Sequence, residues 1–209
     1  MKNLKAPLSI RVIYWIANII LGLLFLVGLG VIAFNALLYT SFFGDDLQLH
    51  VQLPMKVNFL EQGELFIRNT AVKVELVNAS SQIHFINTPL FIARIFGTAM
   101  LIAYGFITYM VFIFRQFVTN VKNNKLFESS NIELLRSIAY GLLIFWIFSI
   151  IYSRLVYHYF AKFMVFQQVD ISGDFSNFPG LLMLALFMWV LSHIFLVGVR
   201  LREDHDLTI

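Results

Sequence analysis

The sequence predicts an all-α transmembrane four-helix bundle with a small extracytoplasmic antiparallel β insertion between helices one and two. Composition is the first reason: 59% of the chain is apolar and 13% charged, about half the ~25% charge that a wetted surface carries. Segmentation is the second, because the charges gather between four apolar runs, as they do when lipid replaces water around helices. The third is a polar stretch after the first run in which apolar residues alternate with period two, the mark of a half-buried strand. The whole chain, 1–209, reads as a single membrane domain, and its 23 Phe fit a lipid-facing surface. A formal charge of +3 gives no footprint for direct nucleic-acid binding; basic residues at helix ends explain it. Cys is absent, which excludes disulfides and thiolate chemistry.

Residues 1–11 carry Lys2, Lys5 and Arg11 without an acid, and no charge follows from 12 to 44. At ~1.5 Å per residue that run exceeds a ~30 Å hydrocarbon core. It also far exceeds the ~7–15-residue core of a cleaved signal, so a first helix over about 10–39 is expected. In the insertion, residues 45–88, Leu47, Leu49, Val51 and Leu53 alternate with Gln48, His50 and Gln52. Pro54 should break this strand or hold it at an edge, and Gly63 sits in a turn-like stretch. Residues 72–77 and 82–86 flank Asn78-Ala-Ser-Ser81, which reads as a hairpin loop and also has the form of a glycosylation site. Three or four short strands bury too little to stand alone, so the sheet is expected to lean on the helices or on a second copy in a homo-oligomer.

Pro89 can open the second helix, 90–114, whose only charge is Arg94. Arg94 is expected to snorkel to the interface or to pair with an acid of the sheet. The third run, 137–153, barely spans a bilayer, so its helix should start near Asn131 and continue past Arg154 to about Phe163. Residues 170–177 read as a short outer loop. The fourth helix covers 178–199, and residues 200–209 form a polar tail. The N-terminus, the elbow at 115–136 and the tail together hold nine Lys/Arg, against five on the outer side, Lys56, Arg68 and Lys73 in the insertion and Arg154 and Lys162 between the third and fourth apolar runs, although the outer segments are longer in total. That bias places both termini in the cytoplasm.

Signs of catalysis are missing: there is no phosphate loop, no G-x-S-x-G and no H-E-x-x-H. No cofactor is implied. His50 and His84 fall on polar faces of expected strands, but zinc ordinarily takes three or four ligands. His193 is the only titratable group within the fourth helix and therefore a candidate intramembrane polar site, expected to bond a carbonyl or hydroxyl inside the bundle. In the elbow, Ser129 or Ser130 can cap a helix start, and Ser130 and Glu133 have capping-box spacing, with Phe127 and Leu134 as the flanking staple.

The elbow motif Leu126-Phe-x-x-x-Asn131-x-x-x-Leu135-Arg136-x-Ile138-Ala139, followed by Gly198-x-x-Leu201-Arg202-Glu203-x-x-Asp206-Leu207-Thr208-Ile209, resembles the DUF2975 family of bacterial four-helix membrane proteins. The chain departs from that family's Gly-x-Pro-Phe lead, having Asn124-Lys125-Leu126-Phe127 instead. The resemblance implies a multi-pass protein of the bacterial inner membrane with no assigned activity. It also implies a cytoplasmic partner of the helix-turn-helix regulator type.

Two functional expectations follow. The first is a non-enzymatic sensory or regulatory membrane protein, in which the outer sheet couples to the cytoplasmic elbow and tail. Its partner contacts would be Lys122, Lys125, Phe127, Asn131, Arg136, Arg202, Glu203 and Asp206, with Asn131, Glu203 and Arg136 tying tail to elbow. The alternative is a small-molecule or lipid transporter or resistance protein with a polar or aromatic cavity near mid-membrane, around His193, Trp146 and Trp189. A lipid-modifying enzyme is disfavoured, since no nucleophile–base or acid pair is visible.

Overall fold

The computed structural model describes residues 7–44, 47–67, 70–85, 88–161, 170–173 and 178–207, with only the backbone path described for most of the strands and for 202–207. Its elements are α1 (Leu8–Tyr39), β1 (Leu49–Ile67), β2 (Thr70–Phe85), α2 (Leu90–Lys122), α3 (Ser129–Ala161), β3 (Asp170–Gly173) and α4 (Pro179–Leu207). The four helices are 32, 33, 33 and 29 residues long. All four are long and apolar enough to cross a membrane, and each exceeds the ~20 residues that a hydrocarbon core requires.

Two compact units divide the chain: Met1–Gly44, Pro89–Trp146 and Phe178–Ile209 form one, Asp45–Thr88 and Ile147–Asn177 the other. In the helical unit, large apolar side chains point outward. Trp15, Leu23, Phe25 and Leu26 of α1 are exposed, as are Met183, Phe187 and Ile194 of α4. This inversion of the soluble pattern is what a lipid-facing surface requires. The enclosed apolar residues gather toward the elbow, where Ile113, Val118, Ile132, Leu135, Ile138, Ala139 and Val199 are buried.

α1 and α2 are laced together at successive levels. At one end Lys122 Nζ stands 3.8 Å from the Tyr14 ring centre, and Arg115 Nε donates to Asn18 Oδ1 at 2.7 Å. Midway, Tyr104 donates its hydroxyl to the Leu24 carbonyl and lies against Gly28. At the far end Tyr39 and Thr98 share a 2.9 Å hydrogen bond. Polar ties of this kind are how helices associate where apolar contact with lipid is no worse than contact with protein.

Among the described residues, Arg94 bonds the end of α1; the acid side chains of the sheet lie outside them. Its Nε donates to Leu38 O at 3.3 Å, and its Nη2 donates to Tyr39 O at 3.3 Å and Ser41 Oγ at 3.0 Å. The guanidinium therefore caps the C-terminus of α1, whose last carbonyls lack intrahelical partners and carry the negative end of the helix dipole. Ser41 ends this helix at φ 57°, with Phe42 N–H on Leu37 O and Ser41 N–H on Leu38 O, the paired bonds of a Schellman ending.

The second unit holds a three-stranded sheet in the order β2-β1-β3. Here the expected short strands and Asn78–Ser81 hairpin are corrected. Asn78, Ala79 and Ser80 run inside β2, opposite Asn58, Val57 and Lys56. Turn-prone residues have been overridden by a long partner strand that pairs their backbone; the local irregularity survives as register shifts between Gln52 and Lys56 and between Asn58 and Glu61. Pro54 falls within the first shift, the kind of irregularity in a strand that tolerates a residue without an N–H. Gly63 pairs with Val74 rather than turning. Part of the expected second loop is β3, which pairs Gly173 through Asp170 with Met55 through Asn58.

Candidate functional site

The elbow proves to be mostly helix. α2 continues to Lys122 and α3 starts at Ser129, leaving only 123–128 between them; Arg115, Gln116 and Lys122 are good helix formers. Asn124 ends α2 at φ 61°. Lys125 N–H bonds Asn120 O at 2.9 Å and Asn124 N–H bonds Val121 O at 3.1 Å. This is a second Schellman ending, with Asn in the left-handed position that glycine fills most readily and Asn next.

Asn131 closes the connection. Its side chain is fully buried, and its amide donates to Lys125 O at 2.6 Å and Leu126 O at 2.9 Å while its Oδ1 accepts from Asn120 Nδ2 at 2.8 Å. One side chain thus satisfies two loop carbonyls and clasps the end of α2 to the start of α3. This corrects two expectations. Asn131 is enclosed by its own chain and is not an exposed contact, and among the described residues its side-chain partners are Asn120, Lys125 and Leu126 rather than Arg136; its expected bond to Glu203 lies outside the described residues. The capping box is displaced as well: with α3 starting at Ser129, Ser130 lies inside the first turn.

Phe127 links the elbow to α4. A β-carbon on Gly198 would stand 2.7 Å from Phe127 Cε1, and the ring centre lies 6.0 Å from that of Phe195, which in turn sits 5.9 Å from Phe117 of α2. Only glycine lets the ring lie this close. Phe127 is nevertheless 42% exposed.

Of the remaining predicted contacts, Lys125 is exposed and pairs with Glu128 at 3.4 Å. Lys122 is occupied with Tyr14, and Arg136 is half-buried. The side chains of Arg202, Glu203 and Asp206 lie outside the described residues. His193 is exposed on the outer surface of the helical unit rather than inside it; its neighbour Ser192 is the buried one, donating to Trp189 O at 2.6 Å. Trp189 itself packs on Tyr140 with ring centres 5.5 Å apart. The polar centre expected around His193 is therefore not assembled on that helix. The backbone register sets His50 opposite His84, and among the described residues no three His, Asp or Glu gather as a metal site would need.

Sequence reasoning missed a cleft of about 400 Å³ beside the clasp. α2 lines it with Arg115, Gln116, Thr119 and Asn120, and α3 with Ser130, Glu133, Leu134 and Ser137. The available signal was helical spacing: Arg115 and Thr119, like Ser130, Glu133, Leu134 and Ser137, recur at three- and four-residue steps that share a face.

Four apolar, membrane-length helices, clasped at one end by a capped polar connection, define a multi-pass membrane protein. Residues 73–209, about two thirds of the chain, match the DUF2975 family, described as a protein of unknown function, and the chain belongs to that family. No curated protein and no solved structure matches it. The departure at Asn124, where the family's glycine is expected, is accounted for by the left-handed backbone that both residues tolerate.

Proposed function

We propose that the protein is a non-catalytic sensory or regulatory component of the bacterial inner membrane. In this reading its elbow and α4 end form one cytoplasmic docking face, and its sheet is the extracytoplasmic input. The observation that carries the reading is the seating of Phe127 on Gly198, which joins the elbow half of the family motif to the tail half. Around that joint the motif divides by role. Asn131, Ile132, Leu135, Ile138 and Ala139 are buried and hold the face together, whereas Phe127, Lys125 and Glu128 present an aromatic ring and an ion pair outward. An exposed aromatic beside charges is the composition of an interaction anchor. On the input side, the sheet takes strands from both the α1–α2 and the α3–α4 connections, so one event at the sheet bears on chain leading to all four helices. The partner implied by family resemblance is a soluble regulator of the helix-turn-helix type. A photoreactive residue at Lys125 tests this: it should form an adduct with a soluble protein in intact cells, and Phe127→Ala should remove that adduct.

A further inference from the structure

The cleft beside the clasp contains charges of both signs that do not neutralise one another. Arg115 and Glu133 both line it, yet neither forms an ion pair with the other or with any described residue. Arg115 uses one of its five N–H groups on Asn18, leaving the terminal nitrogens of the guanidinium for a ligand. Asn120 donates through Nδ2 to Asn131, leaving its Oδ1 as an acceptor. The side chains of Gln116, Ser130 and Ser137 make no hydrogen bond among the described residues. A volume of about 400 Å³ falls at the small end of the ~300–1,000 Å³ typical of ligand sites.

This donor and acceptor set selects for a ligand class. A simple anion would match Arg115 and the hydroxyls but be repelled by Glu133, and a simple cation would meet the reverse problem. A zwitterion satisfies both, with a phosphate on the Arg115 fork and an ammonium on Glu133 and Asn120 Oδ1. The depth is suited to a lipid. Arg115 is the first charge after the apolar run that starts beyond Arg94, so the cleft lies where α2 leaves the hydrocarbon and headgroups sit. We infer that the cleft binds a phosphoethanolamine group, presented by a membrane phospholipid. The site is independent of any docking at the exposed face of Phe127.

Native mass spectrometry of the full-length protein in detergent tests this with phosphatidylethanolamine, phosphatidylcholine and phosphatidylglycerol of matched acyl chains, and with soluble glycerophosphoethanolamine as competitor. Phosphatidylethanolamine should be retained about tenfold more tightly than either other lipid, equivalent to ~1.4 kcal/mol. Glu133→Gln should abolish that preference without weakening phosphatidylglycerol. Arg115→Gln should weaken all three lipids; because Arg115 also holds Asn18, Ser137→Ala provides a variant with no described bond to lose, expected to lower phosphatidylethanolamine binding severalfold. Displacement by equimolar glycerophosphoethanolamine would retain the cleft chemistry and assign it to the free ester. Equal retention of the three lipids by the unaltered protein, or an unchanged preference in Glu133→Gln, would overturn the proposal.

Discussion

The ring of Phe127 lies so close to Gly198 that a β-carbon on that glycine would stand 2.7 Å from Cε1 and 2.9 Å from Cδ1. Two residues more than seventy positions apart thereby hold the α2–α3 connection against the end of α4. Gly198→Ala must push the ring off or shift α4, at a cost of about 1–3 kcal/mol. It should lower the detergent Tm, and Phe127→Leu in the same chain should recover part of the loss. Equal, additive losses in a double-mutant cycle would mean that the two residues are not coupled.

Asn131 is the second structural claim open to mutation. Asn131→Leu would fill similar volume but strand the carbonyls of Lys125 and Leu126 and the Asn120 amide, each at about 1–3 kcal/mol when buried. Asn131→Asp should be nearly as damaging, because an ionised carboxylate cannot donate to two carbonyls. Both variants should yield little monodisperse protein after extraction, with thermal unfolding reading out any that survives.

Asn124 and Ser41 give a prediction of opposite sign. Each holds a left-handed backbone at a helix end, a conformation that costs a non-glycine residue roughly 1–2 kcal/mol, less for Asn. Asn124→Gly should be neutral to stabilising and Asn124→Ala destabilising. Ser41→Gly relieves a larger strain but deletes the Oγ that accepts from Arg94, so the two effects offset and its net effect on Tm should be small.

Arg94 tests the helix-end assignment. Arg94→Gln should cost about 1–2 kcal/mol through loss of charge at the C-terminus of α1. Arg94→Lys keeps the charge but not the fork that reaches Leu38, Tyr39 and Ser41 together, so it should fall between. Were Arg94 merely snorkelling, Lys would replace it without loss, which thermal unfolding would reveal.

These four sites show which parts of the structure could be read in the sequence. The apolar runs gave the helices because length and charge exclusion are local properties. The motif around Asn131 and Gly198 was legible as a pattern but not as geometry: a buried clasp and an exposed contact use the same residue type. The bonds of Arg94 to the end of α1 were not legible because two of its three acceptors are backbone carbonyls, which no side-chain code reports. His193 faced the wrong way in prospect because α4 is apolar on every side, leaving no periodicity to orient it. Asn78–Ser81 read as a turn until a partner strand outweighed the local preference.

The docking claim is tested most directly by a photoreactive residue at Lys125, in otherwise unaltered protein and in Phe127→Ala, with irradiation of intact cells. The account predicts an adduct with a soluble cytoplasmic protein that Phe127→Ala removes while membrane levels of the protein stay constant. An adduct that persists in Phe127→Ala, or labelling of Lys125 by an impermeant reagent added from outside, would contradict it.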